Sequence, residues 1–131
     1  MEHEQLKALA SVRLEHANEC LSAAKFLLEA GNYKSAANRA YYTVFHSMRS
    51  VLAFDLIDMK HHSGVIAEFR RLYIKTGVFE TELSKIISVL SDTRTDSDYD
   101  DFFVVSKEEV AEQVESAEYF LEKVTVYVTN K

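Results

Sequence analysis

The sequence predicts an all-α fold, an up-and-down antiparallel helical bundle of four long helices plus a short fifth helix. Three observations carry that expectation. Proline is absent from the 131 residues and glycine occurs three times, too few turn residues for a β-sandwich or barrel. Apolar residues recur three or four apart along most of the chain, the spacing that lines one face of a helix. Hydrophobic residues make up 47% and charged residues 27%, which suits a folded core rather than a disordered chain, and no stretch reaches the roughly 20 apolar residues of a membrane span. With no repeat and no linker, a single domain over residues 1–131 is the expected organisation.

The elements follow in order. From Gln5 to Ala30, the positions Leu6, Leu9, Val12, Ala17, Leu21, Ala24, Leu27 and Leu28 mark a first helix. Gly31 stops it and Asn32 is placed to cap the second, which carries Ala36, Ala37, Ala40, Tyr41, Val44, Phe45, Met48, Val51 and Leu52 and is expected to reach about Phe54. After a polar stretch from Asp58 to His62, the run Val65, Ile66, Phe69, Leu72, Tyr73 predicts a third helix ending near Gly77. The fourth is expected to be the short one, Glu80 to Leu90, with Leu83, Ile86, Ile87 and Leu90 on one side. Five aspartates in ten positions, Asp92 to Asp101, predict a loop, because aspartate favours caps and turns. The apolar run 102–105 would anchor that loop. Ser106 and Glu109 then form a capping box for a last helix, whose buried face is Val110, Val114, Ala117, Phe120, Leu121, Val124 and Val128.

Charge narrows the function classes. The chain carries a formal charge of −6, yet between Asp92 and Glu118 ten acidic residues face only two basic ones, whereas between Asn32 and Gly77 seven basic residues face three acidic. An acidic protein with a basic middle is suited to a local anion site and not to general coating of nucleic acid. The single Cys20 excludes an intramolecular disulfide, and the N-terminal residues lack the basic and apolar regions of a signal peptide, so a cytoplasmic location is expected. No glycine-rich phosphate loop, dinucleotide fingerprint or Ser/His/Asp signature is present.

Candidate chemistry concentrates in the second and third helices. Arg39 and His46 are seven apart, about 700° of rotation, which leaves them about 20° from one another on one helix face. Tyr42 and Thr43 lie between them and Ser50 follows one turn on, a polar stripe beside the apolar one. Alternatively, Arg39 makes a surface salt bridge and His46 simply packs. His61, His62, Ser63 and Gly64 place imidazoles and a hydroxyl at a helix start, where an anion can be held, unless Ser63 serves only as a cap. Adjacent histidines rarely converge on one ion, and Asp96, Asp98, Asp100 and Asp101 lack the glycine and closing glutamate of an EF-hand loop, so no metal or other cofactor is expected. Arg94 and Tyr99, within the acidic segment, are available to turn inward. Cys20, among alanines and leucines, reads as a buried inert thiol.

The stretch Ser35-Ala-Ala-Asn-Arg-Ala-Tyr-Tyr-Thr-Val-Phe-His46, followed by His62-Ser-Gly-Val-Ile66 and Asp98-Tyr-Asp-Asp-Phe102, resembles the HEPN domain family of prokaryotes over nearly the whole chain. The resemblance implies a helical bundle that dimerises with a second copy, often encoded beside a minimal nucleotidyltransferase in a toxin and antitoxin pair. It also implies a ribonuclease motif, an arginine and a histidine separated by four to six residues, here Arg39 and His46 with six between. Two departures accompany it. Ala40 follows the arginine where active members often carry a polar residue, and Met48 stands where one subgroup carries an adenylylated tyrosine.

Under this resemblance the expected activity is metal-independent RNA cleavage, with His46 as acid or base and Arg39 stabilising the phosphorane charge. A dimer placing two copies of the second helix face to face would then supply a second proton-transfer group. Tyr42, His62, Ser63, Arg94 and Tyr99 are the expected nucleotide or phosphate contacts. Two other readings stand beside it: a noncatalytic module that binds a nucleotide or a nucleotidyltransferase partner, and a helical adaptor whose polar stripe is only a dimer interface.

Overall fold

A computed structural model describes residues 2–59 and 61–131. Its elements are α1 (His3–Glu29), α2 (Tyr33–Leu52), a 3-10 turn (Ala53–Asp55), α3 (His62–Phe69) running into a π-helical turn (Arg70–Ile74), α4 (Thr81–Tyr99) and α5 (Lys107–Thr129). They form an antiparallel helical bundle in which α2 is the central helix, packed on α1 and α5 along its length and on α3 and α4 along another side. Among the described residues, no helix is long and apolar enough to cross a membrane.

One hydrophobic core joins all five helices. Ala36, Ala37 and Ala40 let α1 approach α2 closely through its own Ala10, Ala17 and Ala24, all buried. Phe69, Leu83, Ile87, Leu90 and Phe120 fill the other side of the bundle and are almost completely enclosed. The predicted face of the last helix, Val110 through Val128, is buried at every position named from the sequence. Val12 is the exception in the first helix, where it is exposed while Arg13 beside it is buried. Arg13 donates to the carbonyls of Arg49 (2.8 Å) and Ile57 (3.5 Å), which ties α1 to the end of α2 and the turn after it.

The helix ends follow local chemistry. Gly31 adopts φ +84°, and its N–H and that of Asn32 close on the carbonyls of Leu28 and Leu27, so the glycine stops α1 as expected. Asn32 precedes α2 without a side-chain cap, contrary to the sequence expectation. Ser106 caps α5, accepting from the Glu109 N–H at 3.1 Å. The cap before α3 is His61, not Ser63.

Two expectations about length are overturned. The short helix is the third, not the fourth, because α4 runs on through Asp92, Asp96 and Asp98 to Tyr99. Packing overrides aspartate's preference there: Thr93 accepts a hydrogen bond from buried Gln113 of α5 at 2.9 Å, and Arg94 turns onto the aromatic face of α2. Each additional turn is thereby anchored on its inner side. The apolar run after α4 divides by alternation: Val105 is buried and Phe103 packs on the core, whereas Phe102 (91%) and Val104 (84%) are exposed.

Candidate functional site

Helix α2 presents the site because its apolar period leaves a flank for other residues. Ala36, Ala40, Val44, Met48 and Val51 point into the core, and the same period places Arg39, Tyr42 and His46, each half-buried, along the margin. Tyr42 touches both of its neighbours. The Arg39 guanidinium lies 4.8 Å from its ring centre and the His46 ring 6.1 Å from it. Asn38 steadies the guanidinium, its Oδ1 accepting from Nε (3.2 Å) and Nη2 (2.8 Å). Among the described residues, Arg39 has no carboxylate partner, so its charge is available to a ligand.

Other helices bring basic groups to the same margin. From α3, His62 stacks on Phe45 with ring centres 4.1 Å apart and meets the Tyr42 ring edge-on at 5.6 Å. From α4, the Arg94 guanidinium lies 5.0 Å from the Tyr41 ring centre and 5.6 Å from that of Tyr42. Its Nε is buried without a hydrogen-bond acceptor, and its ion-pair partner Asp98 stands 3.7 Å away. From α1, exposed His16 meets the His46 ring edge-on at 5.6 Å. His46 Nδ1 is likewise buried and unpartnered.

Electrostatics agree with that assembly. Burial and then the charges of Arg49, His16, Arg39 and His62 push His46 down to about 4, so its ring is neutral at pH 7. Burial, aided by Arg94, lowers His62 as well. Burial raises Tyr41 to about 12 against the opposing charge of Arg94, so the phenol keeps its proton. Its oxygen lies 2.8 Å from His62 Nδ1, and a hydrogen bond donated by the phenol to that nitrogen leaves Nε2–H as the donor of a neutral His62. Cys20 is buried as expected, although folding brings Arg39 Nη1 to 4.0 Å from its sulfur; burial raises the thiol more than that cation lowers it.

A cavity of about 430 Å³ opens between α2, α3 and α4, lined by Tyr41, His62, Ser63, Arg70, Arg94 and Thr95 among others. It holds three of the expected contacts, His62, Ser63 and Arg94, while Arg39, Tyr42 and His46 lie on the adjoining face of α2. Tyr99 is not among them. Its side chain is 87% exposed near the end of α4 and does not turn inward, which corrects the sequence expectation. The polar stripe is corrected too: Thr43 and Ser50 are fully buried, as is Ser47 between them, Thr43 and Ser47 donating to carbonyls one turn back and Ser50 to the Ala10 carbonyl of α1. They pin helices and contribute nothing to the site.

Tyr41, His16 and Arg70 were not anticipated as site residues. Tyr41 fits the apolar period of α2, and that period conceals a phenol aimed at His62. His16 lies four residues before buried Cys20, the only sequence sign that it borders α2. Among the described residues, no three His, Cys, Asp or Glu side chains gather as a metal ion would require.

Comparison with known proteins places the chain in a family. The family model described as HEPN domain matches residues 10–127. A UPF0332 protein of Thermotoga maritima is 35% identical over 108 residues, 82% of each chain. Two proteins of Methanocaldococcus jannaschii, each named "Putative toxin", are 31% and 34% identical, over 90% and 92% of this chain and 80% and 87% of their own.

Proposed function

Because this chain belongs to the HEPN domain family, we propose that it is the toxin-like half of a two-component system and acts as a metal-independent endoribonuclease. One observation carries the reading: in an acidic protein, Arg39, His46, His62 and Arg94, from three helices, converge around Tyr41 and Tyr42. That is an anion site, and the relatives named as toxins support a toxin-like role for it.

The chemistry follows from the charge states. Neutral His46 has a lone pair with which to take the proton of a ribose 2′-hydroxyl, and the phosphate it would act beside offsets the positive charges that lower it. Arg39, unpaired by any carboxylate among the described residues, stabilises the charge that accumulates on phosphorus oxygens in the transition state. His62 Nε2–H, Ser63 and Arg94 hold an adjoining phosphate or nucleotide in the cavity. The protein works as a homodimer beside a minimal nucleotidyltransferase partner. Replacing Arg39 or His46 by alanine lowers cleavage of a defined RNA by about 100-fold or more, with protein free of contaminating nuclease and without unfolding the bundle; cleavage undiminished by either change refutes the reading.

A second reading rests on its own observation. His46 held near 4 is a weak base, and Ala40 supplies no polar group next to Arg39, a combination that suits binding without turnover. In that case nucleotide or inorganic phosphate raises the melting temperature, Arg39→Ala and Arg94→Ala remove the shift, and RNA stays intact.

A further inference from the structure

We infer that His16 of α1 is the proton donor to the leaving oxygen, so that one protomer holds both groups that RNA cleavage needs. This rests on the ribonuclease reading above. In an in-line displacement the entering 2′-oxygen and the departing 5′-oxygen stand on opposite sides of phosphorus, so two separate groups serve them. His46 is neutral and able to accept a proton, but it has none to give on the imidazolium side at pH 7. A donor is therefore missing from α2 alone.

The structure offers a second imidazole within reach. His16 stands edge-on to His46 with ring centres 5.6 Å apart and comes from a different helix. Its side chain is exposed, whereas His46 is half-buried. An exposed side chain changes rotamer in nanoseconds or less, so His16 can swing aside to admit a phosphate and close on its far oxygen. Imidazole is also the side chain that exchanges protons near neutral pH. Around the pair stand Arg39 and Arg49 from α2 and His62 from α3, with Glu15 and Glu19 flanking His16 on α1 and Cys20 one turn along. His62 is a poorer candidate, since its Nδ1 is engaged by Tyr41 and its ring is stacked on Phe45.

The step balances. His46 removes the 2′-hydroxyl proton as that oxygen bonds to phosphorus, the bond from phosphorus to the 5′-oxygen breaks, and protonated His16 gives its proton to that oxygen. The products are a 2′,3′-cyclic phosphate and a 5′-hydroxyl. Water returns a proton to His16 and removes one from His46.

The test compares two substrates in excess chelator: a short oligoribonucleotide, and a ribonucleoside 3′-(4-nitrophenyl phosphate) whose leaving group departs without a proton. With His16→Ala and His16→Gln, kcat on the oligoribonucleotide falls by about 100-fold or more, and the loss on the nitrophenyl ester is at least about tenfold smaller. His46→Ala loses both substrates. Equal losses on the two substrates, or a His16 variant that cleaves RNA like the unaltered protein, overturn the inference while leaving the ribonuclease reading intact. An unaltered protein that cleaves neither substrate overturns the ribonuclease reading itself, and this inference with it. Circular dichroism melts confirm that the variants are folded.

Discussion

The basic margin of α2 and the acidic segment from Asp92 to Val105 are built on opposite terms. Around α2, charged and aromatic side chains are held by neighbours from several helices: Arg39 by Asn38 and Tyr42, His62 by Tyr41 and Phe45, Arg94 by two tyrosine rings. In the acidic segment, Asp96, Asp100, Asp101, Tyr99, Phe102 and Val104 face solvent. The two regions meet at Arg94 and Thr95, of which Arg94 makes the aromatic contacts. Arg94 belongs to the acidic segment by sequence and to the basic margin by contact. Side chains fixed by several partners are preorganised for chemistry, and exposed ones are not.

The largest contrast is in activity. His46→Ala lowers the rate of RNA cleavage by about 100-fold to 10,000-fold, whereas Asp96→Asn with Asp101→Asn leaves it within about a factor of two in the same assay. A comparable loss from the aspartate changes would show that the acidic segment takes part in the site.

Removing the residue that joins the two regions has the next largest effect. Arg94→Ala takes away two cation–π contacts, costs about 1 to 2 kcal/mol by denaturant melting, and frees the last turns of α4. Hydrogen exchange at residues 92–99 speeds up while that of α5 stays slow. Unchanged exchange there would mean that Thr93 and Gln113 alone hold the segment helical.

A further effect, confined to acid pH, separates the regions. His46 ionises at about 4 in the folded chain against 6.5 for an ordinary histidine, so the unfolded chain binds more protons between those values. The stability this group contributes is full above about pH 6.5 and is lost as the pH falls toward 4. His46→Gln flattens that part of the curve of melting temperature against pH, and parallel curves for the two proteins would contradict the burial and charge assigned to His46. At the bottom of the scale, Phe102→Ser and Val104→Ser change stability by less than about 0.5 kcal/mol, since neither side chain is packed.

The same contrast explains what was legible in the sequence. Where burial sets the pattern, periodicity sufficed: the inner faces of α4 and α5 are the positions that the three-and-four spacing marks. Gly31 and Ser106 were legible because a positive φ and an N-cap each demand particular residues. The extension of α4 was hidden because its cause is tertiary; nothing local in Asp92-Thr-Arg-Thr announces that Gln113 and two tyrosines wait across the bundle. In the site, Arg39 and His46 could be paired by helical rotation alone, and Tyr42 between them likewise. His16 could not, since joining it to His46 needs the crossing of α1 and α2, which spacing along one helix does not supply. Tyr99 failed for the converse reason: an aromatic near the end of a helix is buried only if something lies opposite it.

The most direct test of the account is to incubate the unaltered protein with a short RNA of defined sequence in excess chelator and identify the new ends by mass spectrometry. Cleavage through Arg39 and His46 leaves a 2′,3′-cyclic phosphate on one fragment and a 5′-hydroxyl on the other, undiminished by the chelator. Intact RNA, loss of cleavage on chelation, or fragments ending in a 3′-hydroxyl and a 5′-phosphate would contradict it.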